Sequence, residues 1–313
     1  MFRPKIYAKS SLNAEHMLAK DIIGADGIEL QLLSEMVNSE GDYKNAEDVY
    51  DFDLLRRFNI RAVHCPILKA FGMEDVCLES LCTEKHFKLF EQVCYLANRA
   101  GEIHKHTVIV IIHSEMTLTD LRMTGLLDNV LKYLKQILDD YPYVEIAIEN
   151  VTPFRNCSND QISLANNFLW DNIDMVRLLR EQLSTERIGT VLDTCHAEIS
   201  CKVMNSLKSA FPDIVPDIEY SMNKFFEMNK DVVKLFHFSR TVDNGYGKGK
   251  HGQPFDEDSQ STLMNYLELY DKYDYTAPIT LEVAEMDYIK SEGYEMSYIL
   301  MLECLDELER IKV

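Results

Sequence analysis

The 313-residue sequence has few basic residues, no apolar run of membrane-spanning length and no Cys-x-x-Cys pair. Lysine and arginine number 32 against 52 aspartates and glutamates, so the formal net charge is −20. A chain with this excess of acid repels phosphate backbones and anionic lipid surfaces, which disfavours nucleic acid and membranes as partners. The first residues contain no long apolar segment of the kind found in secretion signals. We therefore expect a soluble, cytoplasmic protein.

The eight cysteines are irregularly spaced, and several lie in apolar surroundings, which is typical of reduced, buried thiols in a cytoplasmic protein. No Gly-x-Gly-x-x-Gly motif follows the first predicted strand, and this weakens a dinucleotide-binding interpretation. No Pro/Gly/Ser-rich linker divides the chain. A single domain over residues 1–313 is therefore predicted.

Short apolar runs alternate with segments of helical periodicity along the whole chain. The nearly continuous apolarity of the runs indicates strands that are covered on both faces, as in a parallel sheet. The predicted strands are 5–9, 27–32, 60–64, 107–113, 144–149, 188–193, 232–237 and 278–283, and the clearest helical patterns are 84–100, 121–138, 171–183 and 294–310. The spacing is that of βα units, which predicts an α/β fold, a single (β/α)8 TIM barrel. An open doubly wound sheet is the alternative.

Four successive predicted strands end in a metal-ligating side chain: Glu149, Asp193, His237 and Glu282. The carboxyl ends of barrel strands converge on one face, where active sites of such barrels lie. Carboxylates and imidazoles are common ligands of divalent ions. These residues predict a metal-dependent enzyme with its site at the C-terminal ends of the strands, bordered by long loops after His64, Glu149 and His237.

Five segments together resemble the xylose isomerase-like TIM-barrel superfamily: IAIEN (146–150), VLDTCHA (191–197), LFHFS (235–239), KHG (250–252) and ITLEV (279–283). This superfamily includes sugar and sugar-phosphate isomerases and epimerases, and also the endonuclease IV type of abasic-site nuclease. The resemblance extends over nearly the whole chain and implies the same barrel fold.

The epimerase-like members imply one divalent ion, such as manganese, zinc, cobalt or magnesium, held by Glu149, Asp193, His237 and Glu282. The resemblance makes Glu149 and Glu282 the acid/base pair as well as ligands. It assigns substrate contacts to His196, and Arg240 and His251 are further candidates for orienting the substrate. From its place on the second strand, Glu29 is a further candidate for touching the substrate.

The nuclease-like members imply a three-zinc cluster with additional ligands. His64 and His113 match two strand-end histidines of that pattern, and His196 and His251 match two ligands of the third zinc. The remaining ligand is an aspartate two residues before the last histidine, where this chain has Gly249. Asp243 lies in the same loop and is the candidate replacement.

We predict a divalent-metal isomerase or epimerase of a sugar, sugar phosphate or polyol, acting by proton abstraction next to a carbonyl. The alternatives are a zinc-dependent phosphodiesterase of the abasic-site nuclease type and a barrel that binds a carbohydrate without catalysis. The expected partner is a small-molecule carbohydrate, and a homodimer is compatible with the resemblance.

Overall fold

The computed structural model describes residues 3–38, 42–68, 72–152, 154–158, 161–164, 169–210, 213, 217–242 and 250–311. Its strands are β1 (Ile6–Ser10), β2 (Gly27–Gln31), β3 (Ile60–His64), β4 (Val108–His113), β5 (Val144–Glu149), β6 (Phe154–Ser158), β7 (Gln161–Leu164), β8 (Ile188–Asp193), β9 (Val233–Phe238), β10 (Arg240–Val242), β11 (Lys250–Gln253) and β12 (Ile279–Leu281). Eight of them close into a parallel barrel in the order β1, β12, β9, β8, β5, β4, β3, β2. The predicted fold class is confirmed, and each predicted barrel strand overlaps an observed one. The single-domain boundary stays a prediction.

The helices lie outside the strands. They are α1 (Ala14–Ile23), α2 (Ala46–Val49), α3 (Phe52–Arg57), α4 (Glu84–His104), α5 (Leu118–Met123), α6 (Leu127–Asp140), α7 (Leu169–Leu183), α8 (Thr194–Ala210), α9 (Met222–Asn229), α10 (Gln260–Lys272) and α11 (Glu292–Ile311). Among the described residues, no helix is long and apolar enough to cross a bilayer.

The single helix predicted over 121–138 is wrong, because two helices occupy this region. Thr117 and Asp120 form a capping box that begins α5 before the predicted start. Gly125 has φ +70°, a left-handed backbone conformation that interrupts the helix and that glycine adopts without steric cost. The apolar periodicity continues across this break, so the pattern alone does not reveal it.

The long segments after Glu149 and His237 contain secondary structure that the sequence did not predict. Strands β6 and β7 pair antiparallel in the first segment, and β10 and β11 pair antiparallel in the second. These strands are short and largely polar, so they lack the apolar run that marks the barrel strands. Both hairpins follow strands of the barrel at its C-terminal face.

The core has two parts. A large cluster lies between the outer faces of the strands and the helices. A smaller cluster fills the inside of the barrel and consists of Tyr7, Ala62, Ile109, Ile111, Ala147, Val191 and Leu235. The barrel is therefore packed with side chains below its mouth, and the residues that follow this layer form the floor of the mouth.

Candidate metal centre

The side chains that point into the barrel are apolar in its interior and become polar at the same height on every strand named here, near the C-terminal ends. Successive inward side chains in a strand are two residues apart. Ala147 is thus followed by Glu149, Val191 by Asp193, and Leu235 by His237. The same spacing places His64, His113 and Lys9 after their own apolar residues: Ala62, Ile111 and Tyr7. The polar side chains therefore form one layer directly above the packed interior.

Glu149, Asp193, His237 and Glu282 come together in this layer. Each offers a ligand atom that lies within 4.8 Å of the other three. His237 Nδ1 is 2.8 Å from Glu282 Oε2, 3.5 Å from Glu149 Oε1 and 4.0 Å from Asp193 Oδ2. The strand register supports this convergence, because Asp193 is the partner of His237 across β8 and β9.

These atoms fit a divalent cation. His237 Nδ1 and Glu282 Oε2 are buried and make no hydrogen bond within the described part of the chain, although they face each other. Buried polar atoms normally have partners. Burial alone would raise the pKa of Glu149 and of Glu282, but the surrounding histidines, His237 first, hold the pKa of Glu149 well below its usual range, and Lys9 and then His237 do the same for Glu282. Two ionised carboxylates and an imidazole nitrogen directed at a common point form a donor set suited to a metal ion.

A second group of candidate ligands shares Glu149. His64 Nε2 lies 3.1 Å and His113 Nε2 3.4 Å from Glu149 Oε2. His64 Nδ1 is 2.8 Å from the Cys65 carbonyl, which only accepts, so Nδ1 carries the hydrogen. Burial, followed by the Lys9 charge, lowers the pKa of His64 and keeps its ring neutral. Its Nε2 lone pair therefore faces an ionised carboxylate, an arrangement that a cation between them would stabilise.

Solved structures of similar fold match nearly the whole chain. A 3-keto-D-glucoside 4-epimerase from E. coli is 14% identical over 95% of this chain and 99% of its own, with a TM-score of 0.55. The IOLI protein with a bound zinc atom is 14% identical over 97% and 98%, with a TM-score of 0.55. A xylose isomerase domain protein from Planctomyces limnophilus is 10% identical over 99% of both chains, with a TM-score of 0.58. The chain has the xylose isomerase-like TIM-barrel fold. No protein-family model and no curated protein matches the sequence.

In this xylose isomerase-like barrel, Glu29 lies where it can orient His237. Its Oε2 is 2.9 Å from His237 Nε2 and also accepts a hydrogen bond of 2.9 Å from the Thr280 hydroxyl. The side chain is fully enclosed. A carboxylate on one ring nitrogen of a histidine fixes the other nitrogen toward a metal. Glu29 is thus placed to support the candidate ligand His237, and the substrate contact predicted for Glu29 stays a prediction.

Asp193 and His196 are linked through the start of α8. Asp193 Oδ1 accepts the backbone N–H of His196 at 2.6 Å, so this carboxylate caps the helix that begins at the next residue. His196 Nδ1 is 2.9 Å from the Asn150 carbonyl and 3.5 Å from Glu149 Oε1. Although burial lowers the pKa of His196, Asp193 and Glu149 raise it to about 9. His196 is therefore a cationic group beside the ligand carboxylates.

The remaining predicted residues are less well placed or not described. The Arg240 guanidinium forms an ion pair with Asp256, and the substrate contact predicted for Arg240 stays a prediction. His251 belongs to β11, but its side chain lies outside the described residues, as do Asp243 and Gly249. The contacts predicted for His251 and Asp243 stay predictions.

Lys9 is a site residue that the sequence analysis missed. Its Nζ is 2.5 Å from Glu282 Oε1 and 3.4 Å from Glu29 Oε1. A lysine at the end of β1 gives no signal in the sequence except its place between Ala8 and Ser10 in an otherwise apolar strand. Lys9 and Glu282 both border a cavity of about 450 Å³, whose walls also include Gln31, Leu33 and Tyr288.

Proposed function

We propose that the protein is a divalent-metal-dependent isomerase or epimerase of a small carbohydrate, which acts by proton abstraction next to a carbonyl. The observation that carries the proposal is the convergence of Glu149, Asp193, His237 and Glu282. The unsatisfied His237 Nδ1 and Glu282 Oε2 within this group support cation binding. The solved structures of similar fold, one of them an epimerase of a keto-sugar derivative, are in keeping with this chemistry.

A divalent ion held by these residues would polarise the carbonyl and hydroxyl oxygens of a sugar and so lower the cost of removing the adjacent proton. Glu149 and Glu282 are ionised, so each is able to accept that proton. Their strands lie three places apart in the eight-membered ring, and the two carboxylates therefore approach the mouth from different sides. In this proposal one removes the proton and the other returns it, while His196 binds a substrate oxygen.

The cavity supports a small molecule as the substrate. Its volume of about 450 Å³ lies in the range of small-ligand sites, about 300–1,000 Å³. Glu282 borders it, so a bound sugar has direct access to one of the two proposed acid/base groups. The net charge of −20 opposes association with a nucleic acid backbone.

Phosphodiester hydrolysis with two metal ions is the second candidate. The specific observation in its favour is the group of His64, His113 and Glu149, whose ligand atoms also lie within 4.8 Å of one another. Glu149 would then belong to the ligands of both ions, and sites with two metal ions occur in phosphatases and nucleases.

The test combines a count of bound metal ions with assays of deuterium exchange and of phosphodiester hydrolysis. We expect purified protein to contain one divalent ion per chain by elemental analysis, and to exchange solvent deuterium into a member of a panel of ketoses. Glu282→Gln should abolish exchange, whereas Glu145→Gln should retain it, because Glu145 pairs with Lys234 at the opposite end of the barrel.

Three outcomes would contradict the proposal. Two zinc ions per chain with hydrolysis of bis(p-nitrophenyl) phosphate would establish the second candidate. Carbohydrate binding that Glu282→Gln leaves unchanged, with no exchange by the wild-type protein, would indicate the non-catalytic barrel. Absence of exchange across the whole panel in the metal-loaded protein would also reject the isomerase chemistry.

A further inference from the structure

Lys9 is a charged residue at the barrel mouth to which the proposed reaction gives no role. It follows Tyr7 on the inward face of β1, and its side chain is 11% exposed. Its ammonium group is 2.5 Å from Glu282 Oε1 and borders the cavity. The contact joins the first strand of the barrel to the segment after the last one.

The backbone of Glu282 is fixed, but this does not fix its carboxylate. Glu282 is the first residue after β12, and its backbone N–H donates to the Phe238 carbonyl at 3.0 Å. A glutamate side chain still has three rotatable torsions, whose freedom costs free energy to remove. The orientation of the carboxylate must therefore come from contacts of its own oxygens.

Those two oxygens have different neighbours. Oε2 faces His237 Nδ1 at 2.8 Å, within the candidate ligand group. Oε1 accepts the hydrogen bond from Lys9. Because both oxygens belong to one rigid plane, the ammonium that holds Oε1 also determines where Oε2 points.

Charge compensation of Glu29 does not by itself explain this arrangement. Glu29 is the more deeply enclosed of the two carboxylates and would gain most from a close cation. Lys9 nevertheless stays 3.4 Å from Glu29 Oε1, and that oxygen makes no hydrogen bond in the described part of the chain. The shorter contact is with Glu282, which borders the cavity. The position of Lys9 thus serves Glu282, the carboxylate that would contact the substrate.

We propose that Lys9 is a positioning residue, which holds Glu282 with one oxygen in the ligand group and the other at the edge of the cavity. The inference rests on the proposed function for the proton transfer assigned to Glu282. Without the ammonium group, the carboxylate would be free to turn both oxygens toward a cation.

A spectroscopic test separates this role from simple stabilisation of the fold. Lys9→Met, Lys9→Arg and wild-type protein would be loaded with Co²⁺, whose visible absorption weakens as the number of ligand atoms rises. We expect a weaker band in Lys9→Met and a wild-type band in Lys9→Arg. Lys234→Met is the matched control, because Lys234 also pairs a barrel strand with a carboxylate, 2.9 Å from Glu145 and away from the mouth.

The second measurement is the rate of deuterium exchange. A misplaced reacting group costs about 100-fold in rate. We expect a loss of that size in kcat for Lys9→Met, with KM little changed, and no loss for Lys234→Met. If Lys9→Met does not fold, Lys9→Met/Glu29→Gln takes its place, since it removes both charges of the buried contact, and it is compared with Glu29→Gln alone so that the effect of Glu29 on His237 cancels.

The outcomes distinguish this inference from the proposed function. An unchanged Co²⁺ band in a folded Lys9→Met variant would overturn the role of Lys9, whatever the activity. A changed band in a protein whose wild type exchanges no deuterium would support the positioning of Glu282 and reject the isomerase chemistry. A wild-type protein that binds no Co²⁺ would overturn both.

Discussion

Glu149 is the residue on which both candidate ligand groups depend. Its Oε1 faces His237 and His196, and its Oε2 faces His64 and His113. The backbone below is fixed as well, because Asn172 donates to the Glu149 carbonyl at 3.0 Å. One side chain at the end of β5 therefore connects four histidines of the mouth.

Substitution of Glu29 by glutamine should weaken metal binding without removing a ligand. The carboxylate of Glu29 holds His237 Nε2, so its loss lets the ring rotate and makes Nδ1 a poorer donor. Loss of such a supporting carboxylate typically costs about 10- to 100-fold in affinity. Titration with Mn²⁺ by calorimetry would measure the change. Glu145→Gln is the control, and equal affinities for all three proteins would contradict this role.

Metal affinity should also depend on pH through Asp193. Burial raises the pKa of Asp193 and the His196 charge lowers it; with Glu282 and Glu149 raising it and His237 lowering it as well, the pKa is about 7. Below that pH the carboxylate is protonated in the metal-free protein, and an ion must displace the proton to bind. We expect the affinity for Mn²⁺ to fall about tenfold from pH 8 to pH 6 through this group alone. Calorimetry in two buffers would check the proton release, and equal affinity at both pH values would contradict it.

At the scale of elements, the start of α11 depends on one buried carboxylate. Glu285 accepts the backbone N–H groups of Gly293 and Tyr294 at 3.0 and 2.8 Å, so it satisfies the first turn of the helix. It also forms an ion pair of 2.6 Å with Lys20 of α1, and both side chains are almost fully buried. Glu285 thus connects α1 to α11 on the outside of the barrel.

The Glu285→Ala variant should be destabilised by about 3–5 kcal/mol, because it leaves the Lys20 charge buried without a partner. Urea unfolding would measure the free energy of unfolding. Glu295→Ala is the control, since Glu295 is an exposed acid in the same first turn, and it should cost less than about 1 kcal/mol. If both variants lost the same free energy of unfolding, the buried ion pair would contribute no more to stability than an exposed acid.

The sequence predicted the barrel strands well and the other elements less well, for physical reasons. A strand covered on both faces is nearly continuous in apolar residues, so β5 and β8 were visible as runs. The break at Gly125 and the polar hairpin strand β10 depend on local backbone geometry, which periodicity does not record. The hydrophobic pattern therefore missed those boundaries of helices and strands that are set by turns.

At the scale of the whole molecule, the convergence of the candidate ligands was predictable because each ends a strand, but the contacts that support them were not. Glu149 and Asp193 follow apolar runs whose ends must meet in a barrel. Lys9 and Glu29 gain their roles only from neighbours more than 200 residues away. The sequence pattern does not show that Lys9 meets Glu282 or that Glu29 meets His237. The expected homodimer stays a prediction.

A divalent ion should stabilise the entire barrel, because its proposed ligands come from four strand ends. An ion at 100 times its dissociation constant adds about 2.7 kcal/mol to the free energy of unfolding. We expect a higher Tm by calorimetry with Mn²⁺ than with a chelator, and a smaller difference for Asp193→Asn. An equal Tm with and without the ion would argue against a shared centre.

The contact between Lys9 and Glu282 also has a kinetic consequence. It joins residues 273 positions apart, so it forms only after the last strand has docked against the first. Contacts that close such long loops form slowly. Interactions absent from the transition state affect unfolding rather than refolding. Because Glu282 is also a proposed ligand, an ion bound there would stabilise only the closed barrel. Stopped-flow measurements should therefore show that Mn²⁺ slows unfolding and leaves the refolding rate unchanged.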